Sequence, residues 1–392
     1  MQNNGRPFLG DEPERRRGHG EPAKTAAAGR PFEGPARGKP SAFTTEGGFK
    51  MIHRIDRLQV ELPPPSEPDP AGAAAVQELL GGKFGEMSTF MNYTFQSFNF
   101  RGRQGARPFF DLVANIAGEE FGHVELVATT INTMLTGATP TDDGRAPSDS
   151  LAAVKGIGNP QHFIAGGQGA LPQDSNGRPW NGDYVFASGD LVEDLTHNFF
   201  LETGARNNKL KVYEMVEHPA ARALTGFLLV RGGVHQVAYA RAIERLTGAN
   251  LMQLFPSPRI PTEKIPECRP HIARGEHLRL YRFSPDDYQE LAAVFNGPHP
   301  ETEEELEVVD EPPAGFPPHD LPPQPAVFAP GYAPEEISEI ATTLRQQAGL
   351  SNEATGLVAD LQPRKRAKNG ASSPSKQSTG AASKSRAKSR AK

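Results

Sequence analysis

A disulfide framework is out of reach for this chain of 392 residues, which has a single cysteine, Cys268. That scarcity fits a reducing compartment. Long apolar runs are missing as well. No stretch approaches the roughly 18 consecutive apolar residues of a membrane-spanning helix, and the N-terminus lacks the apolar segment of a secretory signal. The expectation is a cytoplasmic protein without a membrane partner. Apolar residues make up only 36% of the chain, while 40 glycines and 37 prolines crowd its ends and one middle loop. The packed part must therefore be much shorter than the whole. Negative charge is modest at −5, but it is unevenly spread. The tail from Pro363 to Lys392 carries ten Lys/Arg and no acid, which leaves about −15 for the remainder.

What is present is helical periodicity in the middle. Residues 1–50 are Gly-, Pro- and Arg-rich without period and are predicted to be a disordered extension. An extended segment, "MIHRIDRLQVELPPP", precedes a helix that opens at Asp69-Pro70 and runs through "FMNYTFQSF". A second helix starts at Arg107-Pro108 and reaches about Thr136. Residues 137–188 lack a helical period, and a loop of that length inside a folded unit is usually functional. Helices resume over 189–217 and, after His218-Pro219, over 220–248. Four long helices in two pairs with a long crossover between them give an all-α, ferritin-like bundle over 51–250. The irregular segment 251–350 holds an acidic run at 301–311 and one amphipathic helix at 333–349. Too poor in periodic apolar residues to make its own core, it is predicted to be an arm packed on neighbouring subunits. Residues 351–392 form a low-complexity basic tail, suited to weak, sequence-independent polyanion contact.

Each helix carries polar residues on its apolar stripe. The first reads Leu79, Glu86, Phe90, Tyr93, and the second Leu112, Ile116, Glu120, His123, Val127, Thr130, Met134. The third has Leu195, Phe199, Glu202, Arg206, Lys209, Tyr213, Val216, and the fourth Leu224, Leu228, Gly232, His235, Tyr239, Ala242, Leu246. A lone buried histidine is usually a hydrogen-bonded core residue, and a lone helical glutamate is usually solvated. Three carboxylates pointing at one axis are different, because without counter-charge their burial is prohibitive. Lys209 alone cannot neutralise them. A pair of divalent cations can, and carboxylates with imidazoles and no sulfur ligand suit manganese or iron. A symmetric site would have a glutamate three residues before His235. Gly232 stands there, which predicts fewer anions and a more open face.

The stretches "LLGGKFGEMSTFMNYTFQSFNFRG", "ANIAGEEFGHVELVATTIN", "PWNGDYVFASGDLVEDLTHNFFLETGARNNKLKVYEM" and "RGGVHQVAYARAIE" resemble the non-haem manganese catalases over roughly residues 51–275. The resemblance implies two manganese ions per subunit and hydrogen peroxide as substrate, disproportionated to water and oxygen. It implies one ion on Glu86, Glu120 and His123, the other on Glu202, Glu120 and His235, with Glu120 bridging. Family members have either a glutamate at the position of Gly232 or a glycine together with a lysine on the preceding helix. Gly232 and Lys209 match the second form. Tyr93 matches a tyrosine behind the ligands. The resemblance further implies a homo-oligomer, commonly a hexamer, and a calcium site to which Asp111 and Asn115 would contribute, although asparagine in place of a carboxylate favours a capping or surface role. Lys209 has two readings, proton carrier with a lowered pKa or counter-charge to Glu202, and Arg206 is placed to pair with Glu202. The rival readings are a coat-like protein of the same fold and an iron-loaded oxidase. The intact ligand set argues against the first, and the missing fourth glutamate against the second.

Overall fold

The computed structural model describes residues 57–139, 154–255, 260–284, 286–310, 315–322 and 334–349. The expected N-terminal extension and basic tail lie outside these residues. Five helices build the bundle: α1 Pro70–Gly81, α2 Glu86–Asn99, α3 Arg107–Leu135, α4 Leu191–Met215 and α5 Pro219–Thr247. The first predicted helix is thus two. Asp69 caps α1 as expected, its Oδ1 accepting from the Gly72 N–H at 2.8 Å, with Pro70 in the first turn. The helix then stops at Gly81-Gly82. A Cβ on Gly81 would lie 2.4 Å from the backbone oxygen of Gln173, so only glycine lets the crossover approach this closely. Gly82 and Gly85 both take extended backbone, and α2 restarts with Glu86 as its first residue. Leu79 and Glu86 consequently belong to different helices. A carboxylate in a first helical turn also sits favourably against the helix dipole.

α4 is capped by Asp190, whose Oδ1 accepts from the Val192 and Glu193 N–H groups, each at 2.9 Å. His218-Pro219 turns the chain into α5, and α4 and α5 pack along one another as a hairpin. α1 and α2 pack on α3, and α3 crosses to α5, which closes the four-sided core. The crossover is held by amide side chains of α1 and α2. Gln77 donates to the Leu171 and Gln173 carbonyls at 2.6 and 2.7 Å. Asn92 donates to Tyr184 O at 3.0 Å and accepts from the Phe186 N–H at 2.6 Å. These bonds satisfy loop backbone that burial would otherwise leave unpaired.

The C-terminal segment is more ordered than its sequence suggests. Strand β1 (Arg279–Tyr281) pairs in parallel with β2 (Glu307–Val309), which falls within the acidic run, and Leu58 bridges to Phe316 in antiparallel fashion. Much of it packs on the chain's own bundle. Leu280, Leu291, Val294, Phe295 and Leu306 are buried in one cluster with Leu112, Ile116, Tyr239 and Ile243. Each such burial contributes about 1.5–3 kcal/mol. Asp111 and Asn115 serve this docking. Asp111 pairs with Arg107 at 2.7 Å and accepts from the Glu290 N–H. Asn115 donates to Tyr281 O at 2.9 Å and accepts from the Phe283 N–H at 2.8 Å. Both side chains are engaged by protein groups. Helix α6 (Pro334–Gln347) forms where the amphipathic pattern predicts it, with Ile340 and Leu344 exposed one turn apart.

The bundle has two apolar cores, one around Leu112, Ile116, Phe199 and Tyr239, the other around Leu126, Ile131, Leu224 and Phe227. Between them α2, α3, α4 and α5 each contribute charge. That polar layer is the candidate site.

Candidate metal centre

Position along the helices explains the layer. On α3 the apolar stripe breaks between Ile116 and Leu126 to carry Glu119, Glu120 and His123; on α5 it breaks between Leu228 and Tyr239 to carry Arg231 and His235. Glu202 and Lys209 come from the middle of α4, and Glu86 from the start of α2. None of these eight side chains is more than 2% exposed. Two triads result. Ligand-type atoms of Glu86, Glu120 and His123 all lie within 4.8 Å of one another, as do those of Glu120, Glu202 and His235. Glu120 belongs to both.

The imidazoles turn the same nitrogen inward. His235 Nδ1 lies 2.7 Å from Glu120 Oε1 and 3.4 Å from Glu202 Oε1, while His123 Nδ1 lies 3.3 Å from Glu86 Oε2 and from Glu120 Oε2. Two hydroxyls steady the carboxylates. Thr89 Oγ1 donates to Glu120 Oε2 and Tyr93 donates to Glu202 Oε1, each at 2.7 Å. Oε2 of Glu202 is buried without a hydrogen-bond partner, and the Glu86 carboxylate and His235 Nδ1 make no aligned hydrogen bond beyond their ion-pair contacts with Lys209 and Glu120. Such groups are costly unless something else binds them. Four carboxylates face only two permanent cations, Lys209 and Arg231. Taken alone, the protein groups correct the imbalance through the imidazoles. Burial by itself would depress His123, but Glu120 beside it, with Glu119 and Glu86, raises it to about 10. His235 is driven up in the same way, burial being outweighed by Glu119, Glu120 and Glu202. The inward imidazole protons thus supply positive charge at positions where bound cations would replace them, releasing the protons to solvent. Oxygen and imidazole donors, orphaned and converging, fit a pair of divalent ions of the manganese or iron kind.

Three expectations change. Lys209 pairs with Glu86, Nζ to Oε1 at 2.8 Å, rather than with Glu202. Burial would lower its ammonium, but Glu86, Glu202 and Glu120 reverse that and hold it above the ordinary lysine value when the protein groups are taken alone. Arg206 donates to Gln236 Oε1 at 2.6 Å, and Gln236 in turn to Thr203; no bond joins Arg206 to Glu202 among the described residues. Gly232 does not leave an open face. A Cβ there would lie 3.1 Å from Arg206 Cγ and 3.6 Å from both Lys209 Nζ and Glu202 Oε2, so the glycine makes room for those chains. Outside Arg206 opens a cavity of about 220 Å³, lined by Gly233, Gln236, His277, His299 and Glu301 among others.

Glu119 and Arg231 were not singled out from sequence. Arg231 Nε donates to Glu119 Oε1 at 2.6 Å and Nη2 to Oε2 at 3.1 Å. The readable signs were an arginine inside the apolar run "LTGFLLVRGGV" and the spacing of four that separates Glu119 from His123 and Arg231 from His235.

The family model for manganese containing catalase matches residues 51–350. An uncharacterised protein of Bacillus subtilis strain 168, YjqC, is 39% identical over 199 residues, covering 50% of this chain and 70% of that protein. A manganese catalase of Bacillus subtilis is 39% identical over 183 residues, covering 46% of this chain and 66% of that one. The chain thus spans about two thirds of these relatives' length. The crystal structure of KatB, a manganese catalase from Anabaena PCC7120, aligns over 67% of this chain and 100% of its own, with 23% identity and a TM-score of 0.44.

Proposed function

This chain belongs to the manganese-containing catalase family, and we propose that its reaction, the disproportionation of hydrogen peroxide to water and oxygen, takes place among Glu86, Glu120, His123, Glu202 and His235. The observation that carries this reading is the pair of buried triads sharing Glu120. Glu86, Glu120 and His123 would hold one manganese, Glu120, Glu202 and His235 the other. Bound as a pair, manganese supplies the two-electron exchange with peroxide. The protein's share is placement, dryness and protons. Two apolar cores on either side of the polar layer exclude water and strengthen every charge interaction within it. Tyr93 pins Glu202 and Thr89 pins Glu120, so the carboxylates need little reorganisation. Lys209 Nζ, 2.8 Å from Glu86 and beside Gly232, would give a proton to the leaving oxygen and take one back.

Oxygen evolution from peroxide by the purified chain, with manganese quantified in parallel, tests the reading. Two manganese per chain and sustained oxygen release are expected. A purified, manganese-loaded chain that leaves peroxide intact would sink it. Replacing Lys209 by methionine is expected to leave both metals bound and to lower turnover about 100-fold, as followed by steady-state oxygen evolution across pH. Unchanged turnover at every pH would reduce Lys209 to a counter-charge. We further place the enzyme in the cytoplasm as a homohexamer. No described helix is long and apolar enough to cross a membrane. The exposed Ile340 and Leu344 of α6 give the end of the arm an apolar face suited to a neighbouring subunit.

A further inference from the structure

Neither imidazole is held by its inward contacts alone. On the side away from the triads, both turn Nε2 toward one carboxylate. Glu119 Oε2 lies 3.2 Å from His235 Nε2, and Glu119 Oε1 lies 3.7 Å from His123 Nε2. The rings lie 5.7 Å apart and nearly parallel, at 24°. These approaches are not aligned as hydrogen bonds here, and both Nε2 atoms are without a hydrogen-bond partner. Glu119 is itself immobilised. The Arg231 guanidinium grips both of its oxygens, at 2.6 and 3.1 Å, in the two-pronged geometry that fixes a carboxylate plane. Arg231 is held in turn by the C-terminal segment. Its Nη1 donates to the carbonyls of Glu276 and Arg279, each at 2.8 Å, and its guanidinium lies 4.5 Å from the centre of the Tyr281 ring. The chain of contacts runs from arm backbone to Arg231 to Glu119 to both histidines.

Resting on the proposed di-manganese reading, we propose that Glu119 and Arg231 are positioning residues. Glu119 accepts the Nε2 proton of both His123 and His235, which leaves Nδ1 of each free for metal, and Arg231, braced on the Glu276 and Arg279 carbonyls, keeps Glu119 in register. A carboxylate suits this place because all its hydrogen-bonding capacity is acceptor. Three donors converge on it, two rings and a guanidinium, and only an anion can receive all three. Partners of this kind behind a histidine ligand set its tautomer and its basicity, and their loss typically weakens metal binding roughly 10–100-fold.

The test uses the full chain and reads metal retention rather than turnover. Glu119→Gln keeps the shape but presents an amide N–H to one of the three donors. Since it also strands the Arg231 charge, a double variant, Glu119→Gln with Arg231→Met, removes the ion pair together and keeps the fold in play. Manganese per chain is measured after dialysis against graded chelator, and the electron paramagnetic resonance spectrum of the manganese pair is recorded at fixed loading, with far-ultraviolet circular dichroism as the check on folding. Both variants, folded, are expected to lose manganese at chelator concentrations roughly 10–100-fold lower than the wild type, and to show an altered pair spectrum. A folded variant that retains two manganese with wild-type affinity and spectrum overturns the proposal, whatever the oxygen assay reports. Absence of oxygen evolution from a wild-type chain that holds two manganese would instead count against the catalase reading and leave this proposal to be judged by affinity. A wild-type chain that retains no manganese would overturn both.

Discussion

Alanine in place of His235 is expected to abolish oxygen evolution and to leave one metal per chain, with the bundle still folded. The ring is fully buried and approaches three carboxylates of the site. Nδ1 faces Glu120 at 2.7 Å and Glu202 at 3.4 Å, and Nε2 faces Glu119 at 3.2 Å. Its removal deletes a ligand from the Glu120–Glu202 triad and leaves Glu202, whose Oε2 already has no hydrogen-bond partner, with still less to offset its charge. A metal's charge stabilisation of the reaction is worth several kcal/mol, and about 4 kcal/mol corresponds to a thousandfold in rate. Manganese content per chain and oxygen release, measured on the same preparation, check this. Full activity with two metals bound would remove His235 from the ligand set. The contrast with Lys209→Met is informative, since that change should spare both metals.

Phe295→Ala is expected to destabilise the fold by about 3–5 kcal/mol, the usual cost of emptying a fully buried aromatic position. Phe295 is 1% exposed and belongs to the same cluster as Leu112, Ile116 and Tyr239, which are bundle residues, so its loss should be felt by α3 and α5. Denaturant unfolding at matched manganese loading is the measurement, because bound metal adds its own stability. A cost under about 1 kcal/mol would be that of a surface change. It would mean that residues 291–306 do not share the bundle's core.

The helices that carry the site were legible because their stripes keep a strict spacing over many turns. α3 shows this best. Leu112, Ile116, Val127 and Met134 mark one face, and Glu120 and His123 stand out on it as anomalies that burial makes expensive. Arg107-Pro108 and Asp69-Pro70 marked helix starts for the same local reason, a missing N–H that is no loss in a first turn. The break at Gly81-Gly82 was not read, although the glycines were visible. Glycine inside a helical pattern is tolerated in general, and what ends α1 is the Gln173 backbone arriving from the crossover, a contact between residues far apart in sequence. The packing of the C-terminal segment on its own bundle was hidden for a related reason. Leu280, Leu291, Val294, Phe295 and Leu306 follow no period, because they fill gaps on a surface already formed by other elements.

By itself the sequence determined the all-helical core, the order of its long helices, and the set of polar residues that cannot be buried without a counter-charge. These follow from periodicity and from the cost of desolvating charge, both of which operate on short stretches of chain. Only the tertiary structure decided which charges meet. Lys209 and Glu202 share a helix face, yet Lys209 reaches Glu86 on α2; Arg206 turns away to Gln236; Asp111 and Asn115 clamp the arm. Glu119, next to Glu120 in sequence, points to the opposite side of both imidazoles and finds Arg231 across the interface of α3 and α5. Spacing sets the face of a helix on which a residue lies. The rotation and offset of the neighbouring helices, set by packing the two apolar cores, choose its partner.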